Sequence, residues 1–318
     1  MTVRVALLFP GQGVQREGMG EPWRDCESWP LVERVSEWTG VDVEELLLRT
    51  DGEALRRTDL AQIAVFTTGM LAFREARRAG ALDGVAACAG HSLGEYAALV
   101  AAGALSLRDG AQLVAARGRA MRACAERSPG TMAVVLGGDA EAVEAIVAEA
   151  AASAGPVWAA NFNSRDQVVV SGRAAGVAAA VGLATERGLK AIDLPVSGAF
   201  HTPLMAPAAE SLRRALAAAA FAPRHLAVVA NVDARPHAGK SDWRDLLVRQ
   251  LTGPVRWEQS LHTLTRTLDC RRLVELGTGR TLAGIARRNG SAPEVVSAES
   301  PDALHRLTTD LERTAPTR

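Results

Sequence analysis

A short apolar run, Val85 to Ala89, stops abruptly at Gly90-His91-Ser92-Leu93-Gly94, and a helical pattern follows from Glu95 to Ala102. Strand, Gly-x-Ser-x-Gly turn and helix together form the pattern of a nucleophile elbow. The two glycines permit a turn that a Cβ would obstruct, and the turn lifts Ser92 Oγ clear of the backbone. The amide of Leu93, at the start of the helix, can stabilise an oxyanion. In a chain with 29 glycines the spacing alone also arises as a plain packing turn. The strand before it and the helix after it favour a nucleophile.

The rest of the chain sets this elbow in an α/β frame. Val3 to Phe9 is an apolar, β-branched run ended by Pro10-Gly11 and reads as a buried strand. Residues 53–79 and 109–127 carry helical patterns rich in Ala, Leu and Arg. From Met132 the pattern changes. Strands are expected at Met132–Leu136, Val157–Asn161, Gln167–Ser171 and Lys190–Val196, with helices at Ala140–Ala152 and Ala174–Glu186. That β-α-β-β-α-β order is the split βαβ of a ferredoxin-like unit. Strand and helix alternate again after His201, with strands at Leu226–Asn231 and Arg272–Leu276. A larger α/β body interrupted by a small α+β insert is the simplest account. The tail from Ala315 is expected to fray.

A serine nucleophile needs a base. Of the six histidines, His91 adjoins the serine and points away around the elbow. His305 falls in a polar C-terminal helix and His237 in a Gly-rich turn. His201 follows a strand and the short loop Ser197-Gly198-Ala199-Phe200, where an α/β enzyme places catalytic groups. It is the favoured base, against the plainer reading of a surface histidine before Pro203. Gly11-Gln12-Gly13 follows the first strand, and its amides suit a second oxyanion arm or a phosphate cradle. It lacks the third glycine of a dinucleotide fingerprint. Arg117 lies in the Gln112–Met121 helix. All but Lys190 and Lys240 of the 36 basic residues are arginine, so composition alone makes Arg117 an ordinary solvated position.

Composition excludes several classes. Lys+Arg and Asp+Glu are both 36, which argues against a nucleic-acid binder held by bulk charge. Cys26, Cys88, Cys124 and Cys270 are widely spaced, so neither a disulfide framework nor a zinc site is expected, and a reducing cytoplasm fits. No stretch reaches the roughly 18 apolar residues of a membrane span, and the N-terminal run is too short for a signal peptide.

Taken in order, Gly11-Gln12-Gly13-Val14-Gln15, Gly90-His91-Ser92-Leu93-Gly94-Glu95, Ala116-Arg117-Gly118, Asn161-Phe162-Asn163-Ser164, Ala199-Phe200-His201 and Gln250 followed by Pro254-Val255-Arg256-Trp257 converge on one family. The chain resembles malonyl-CoA:acyl-carrier-protein transacylases and the acyltransferase domains of polyketide synthases, from about residue 3 to about residue 298. The resemblance implies an α/β-hydrolase-like subdomain (1–127 and 199–318) with a ferredoxin-like subdomain (128–198). It implies ping-pong transfer of a malonyl group from malonyl-CoA to the pantetheine thiol of an acyl carrier protein. Ser92 would be the nucleophile and His201 its base. The amides of Gln12 and Leu93 would form the oxyanion hole, and the Gln250 carbonyl would orient His201. Arg117 would pair with the malonyl carboxylate, as a planar guanidinium suits. His91 would also touch that carboxylate, and Phe200 would fill the space of an α-methyl group. Gly277-Thr278-Gly279 departs from the family, which usually has proline in the middle.

The resemblance further implies a cytoplasmic enzyme of fatty acid or polyketide synthesis. A monomer is expected, with no metal or organic cofactor and no nucleic-acid or membrane partner. Two other readings stay open here: a thioester hydrolase on the same scaffold, and an idle carrier-docking subunit. Arg117 speaks against the first, because plain acyl chains need no cation, and the intact Ser92, His201 and Arg117 speak against the second.

Overall fold

The computed structural model describes residues 3–239, 241–290 and 294–314, so the tail from Ala315 lies outside the described residues. The strands among the described residues are β1 (Val5–Phe9), β2 (Val85–Gly90), β3 (Thr131–Leu136), β4 (Val157–Ser164), β5 (Gln167–Gly172), β6 (Lys190–Asp193), β7 (Ala227–Val229), β8 (Pro236–His237), β9 (Arg272–Leu276) and β10 (Glu294–Ala298). The helices are α1 (Leu31–Thr39), α2 (Val43–Leu48), α3 (Thr58–Arg78), α4 (Gly94–Ala101), α5 (Leu107–Arg127), α6 (Ala140–Ala154), α7 (Ala174–Glu186), α8 (Ala206–Ala218), α9 (Trp243–Thr252), α10 (Trp257–His262), α11 (Thr281–Arg288) and α12 (Pro301–Thr314).

The main sheet runs β10-β9-β1-β2-β7-β8. Its first five strands are parallel and β8 is antiparallel. All five residues of β1 are buried, as a strand covered on both faces requires. Val5, Leu7 and Phe9 join the core on one face; Ala6 and Leu8 join the core on the other. From β1 the chain steps to β2 on one side and returns later to β9 on the other. Loops leaving the carboxyl ends of β1 and β2 therefore open at the switch of strand order, where open α/β sheets bind ligands.

The second sheet is antiparallel, in the order β4-β5-β3-β6. Helices α6 and α7 cover one face, where Ala133, Val135, Val168 and Val170 meet Val143, Ile146, Val177 and Ala180. This is the ferredoxin-like arrangement. The opposite face carries Met132, Val134 and Val169, which pack toward the main body and wall the cleft described below. Val255 ties the two sheets together: its amide donates to the Ala160 carbonyl and its carbonyl accepts from the Phe162 amide, both at 2.9 Å.

Three strands are shorter than the sequence predicts. The first begins at Val5, since Val3 is exposed. Lys190–Val196 ends at Asp193, because Pro195 has no N–H to donate. Leu226–Asn231 contracts to Ala227–Val229, because Asn231 is committed to the elbow instead of to a ladder. Helices α1 and α2 and strands β8 and β10 were not legible, and His237 lies on β8 and not in a turn. The four cysteines are free. Among the described residues no helix is long and apolar enough to cross a membrane, and no His, Cys, Asp and Glu cluster could hold a metal.

Candidate active site

Strand β2 delivers the chain to Gly90, and α4 begins at Gly94. A Cβ on Gly90 would lie 1.9 Å from the Gly94 carbonyl group, and one on Gly94 would lie 2.0 Å from the Phe9 carbonyl oxygen. Both glycines are demanded by close backbone approach. Between them Ser92 adopts a left-handed φ of 51°, a conformation a non-glycine residue holds only when its surroundings enforce it. Asn231 and Gln250 supply the enforcement. Asn231 Oδ1 accepts from the Ser92 amide at 2.7 Å, and its Nδ2 donates to the Gly90 carbonyl at 2.7 Å. Gln250 Nε2 donates to the Ser92 carbonyl at 2.7 Å.

His201, the second left-handed residue of the site (φ 59°), brings Nε2 to 2.7 Å from Ser92 Oγ. Its Nδ1 lies 2.9 Å from the Gln250 carbonyl oxygen. A carbonyl can only accept, so Nδ1 carries the proton and Nε2 is left to accept. Burial first, then the Arg117 guanidinium, push the imidazole down from its ordinary value to about 3. It is neutral at pH 7.

Arg117 is 1% exposed and is brought in by α5, whose Gly118 packs so closely on α3 that a Cβ would lie 2.9 Å from the Asp59 Cα. One guanidinium nitrogen, Nη2, donates to Ser92 Oγ at 2.9 Å and to Gln250 Oε1 at 3.1 Å. Nη1 donates to Gln62 Oε1 at 2.7 Å. Its direct acceptors are thus neutral oxygens. Burial disfavours its charge; nearby Tyr96 and Glu95 oppose that.

Glu95, 1% exposed, accepts from the Asn231 amide at 2.8 Å and from Gln250 Nε2 at 2.7 Å. Burial pushes its carboxyl up to about 8, against those two donors and the Arg117 charge.

The cleft has a volume of about 630 Å³. Gln12, His91, Ser92, Leu93, Arg117, Phe200 and His201 all line it, while Gln250 is fully buried behind it. Gly11 lies against the elbow: a Cβ there would be 2.6 Å from the His91 carbonyl oxygen. This close approach sets the Gln12 loop beside Leu93. Neither the Gln12 nor the Leu93 amide donates to another group among the described residues. His91 Nε2 is 2.8 Å from Asn163 Oδ1, and its ring meets Trp257 edge to face at 5.4 Å between centroids. Burial lowers its pKa. Thr278, at the departure from the family pattern, is buried and donates to Thr68 Oγ1, while Gly279 packs on Val14 at the cleft wall.

Gln62 and Asn231 lie outside every motif of the sequence, and Asn163 and Glu95 stand inside motifs with nothing to mark their roles. Each acts by hydrogen bonding across distant segments, which leaves no local spacing to read.

A serine hydroxyl held by a neutral imidazole, beside two free backbone amides, can carry an acyl group. The fold and this pair define an α/β protein built for serine-linked acyl chemistry. The chain belongs to the acyl transferase family: the family model described as "Acyl transferase domain" matches residues 6–313. It is 37% identical over 306 residues to the malonyl CoA-acyl carrier protein transacylase of Bacillus subtilis (strain 168), covering 95% of each chain. The solved structure of the malonyl-CoA:acyl carrier protein transacylase of Xanthomonas oryzae superposes with a TM-score of 0.91 at 39% identity, covering 98% of this chain and 99% of that one. The polyketide biosynthesis protein ThaF of Burkholderia thailandensis is 38% identical over 287 residues, which are 89% of this chain and 24% of ThaF.

Proposed function

We propose that this protein transfers a malonyl group from malonyl-CoA to the phosphopantetheine thiol of an acyl carrier protein, in fatty acid or polyketide synthesis. One observation carries the choice of acyl group. A buried guanidinium with neutral acceptors stands 2.9 Å from the serine hydroxyl. Malonyl has its free carboxylate one methylene from the thioester carbonyl, so an acyl group on Ser92 Oγ presents that carboxylate to Arg117. The full-length similarity to proteins named for this activity supports the same reading.

In the first half-reaction Ser92 Oγ attacks the thioester carbonyl while His201 Nε2 takes its proton. The Gln12 and Leu93 amides hold the resulting oxyanion. The C–S bond breaks, and the thiol of CoA leaves with the proton from His201. In the second, His201 takes the proton of the carrier thiol, the sulfur attacks the malonyl-serine ester, and the proton returns to Ser92 Oγ. The Gln250 carbonyl keeps the Nε2 lone pair aimed at Oγ throughout, the orienting part a carboxylate plays in a triad. Phe200, at the cleft wall, narrows the space beside the acyl α-carbon. His91, fixed by Asn163, stays beside the carboxylate. No organic cofactor or metal takes part in these steps, and the enzyme works as a cytoplasmic monomer.

A pulse–chase experiment tests the proposal. The protein is pulsed with radiolabelled malonyl-CoA, freed of excess, and chased with phosphopantetheinylated carrier protein or with buffer. Label moving to the carrier, with slow release in buffer, is the expected result. Rapid release in buffer, with or without carrier, would make the protein a hydrolase.

A further inference from the structure

Behind the cleft, four side chains form one directed chain of hydrogen bonds. Arg117 Nη1 donates to Gln62 Oε1 at 2.7 Å, Gln62 Nε2 donates to Thr58 Oγ1 at 2.9 Å, and Thr58 Oγ1 donates to Gln12 Oε1 at 2.8 Å. Gln62 and Thr58 are buried, at 1% and 7% exposure. We infer that Gln62 and Thr58 are positioning residues that tie the carboxylate-binding cation to the oxyanion loop, so that Arg117 and the Gln12 amide are set together.

The direction of the chain follows from what each group can do. A guanidinium only donates, so the Gln62 amide must turn its oxygen toward Arg117. Its nitrogen then faces Thr58 Oγ1, with Met121 Sδ at 3.2 Å as a second acceptor. A hydroxyl that accepts from Gln62 has its single hydrogen free, and Gln12 Oε1 receives it. Gln12 is thereby gripped by its side chain, while Gly11 rests on the His91 carbonyl. Gln12 lines the cleft, and its backbone N–H donates to no group among the described residues. Thr58 opens α3, and Gln62 stands one turn further along, on the same face. The pair presents two hydrogen-bonding groups in register between the Gln12 loop and helix α5, which the sequence separates by about one hundred residues.

This inference rests on the roles proposed above for Arg117 and Gln12. It separates two effects. Thr58→Val keeps the side-chain shape and the Gln62–Arg117 bond but frees Gln12 and leaves Gln62 Nε2 with Met121 Sδ as its acceptor. Acylation at saturating acyl-CoA should slow by about 5- to 100-fold, the effect of losing a buried hydroxyl together with its two hydrogen bonds. Malonyl- and acetyl-CoA should suffer alike, with half-saturating concentrations held. Thr58→Ser keeps the hydroxyl and should restore the rate. Gln62→Met removes the acceptor from Arg117 and should cost malonyl transfer more than acetyl transfer.

The test is a double-mutant cycle on acylation rates for Gln62→Met and Thr58→Val, with thermal melts confirming that each variant folds. Strong non-additivity, with Thr58→Ser near the parent, is expected of a single chain. Additive effects, or a parental rate in Thr58→Val, would overturn the inference. Should Gln62→Met not fold, the Val and Ser variants of Thr58 decide it alone. A parent protein that forms no malonyl-serine at all would instead refute the proposed function, so the two failures are distinct.

Discussion

Replacing Arg117 by alanine should invert the acyl preference of the protein. In the proposed malonyl-serine state a carboxylate would sit beside the guanidinium that now donates to Ser92 Oγ at 2.9 Å. That guanidinium is 1% exposed, and its other acceptors, Gln62 Oε1 and Gln250 Oε1, carry no charge to replace it. The variant would therefore leave the substrate carboxylate without its buried cation. Truncating one side of a buried charge pair costs about 2–5 kcal/mol. That corresponds to a loss of roughly 30-fold to several-thousand-fold in malonyl transfer. Acetyl-CoA has no carboxylate to strand. For it the parent's guanidinium is the unpaired charge, so acetyl transfer should hold or rise. The assay is competition between the two acyl-CoA esters, with products resolved on the carrier protein by mass. Equal losses for both substrates would mean that Arg117 only supports the elbow, and the malonyl assignment would lose its physical basis.

The pH dependence of acylation should reflect His201. Burial and Arg117 lower its pKa, so the acid limb of kcat/KM in the parent should lie well below the ~6.5 of free imidazole, and in Arg117→Ala assayed with acetyl-CoA it should rise. A limb at 6.5 or above in both proteins would contradict this. The stability sign is fixed by the same shift: the unfolded chain binds the proton first, so this contribution is intact above about 6.5 and is lost as pH falls from there. His201→Ala should slow acylation and deacylation together, as stopped-flow measurement of each half-reaction would show; loss of only the carrier half would make it a docking residue. Gly94→Ala should lower the melting temperature and abolish activity, because its Cβ meets backbone at 2.0 Å and cannot be relieved by a rotamer change; a parental melt would refute the close-packing argument.

The elements that the sequence revealed are those with local grammar. Strand β9 and helix α7 were legible to the residue, since an apolar run and an Ala-rich periodic segment each sit between clear breaks. Ser92 and His201 were legible from their places after strands. Strand β10, with four of five residues only partly buried, offers no such contrast, and β8 is two residues long. The roles of Gln250, Arg117 and His91 came from the resemblance alone: a helix face in an arginine-rich chain looks solvated until its neighbours are known, and the partner of His91, Asn163, lies 72 positions away. Gln62 and Asn231 escaped even that. An amide that bridges 55 or 139 positions of sequence marks nothing nearby. The Pro254-Val255-Arg256-Trp257 motif gained its meaning only in three dimensions, where Val255 joins the two sheets and Trp257 backs His91.

The central claim is that Ser92 carries the malonyl group, and intact-protein mass spectrometry tests it most directly. The parent and Ser92→Ala are each mixed with malonyl-CoA, quenched in acid, weighed and digested. The account predicts a single malonyl adduct on the parent, mapped to the peptide containing Ser92, and none on the variant. An adduct that persists in Ser92→Ala, or that maps elsewhere on the parent, would contradict it.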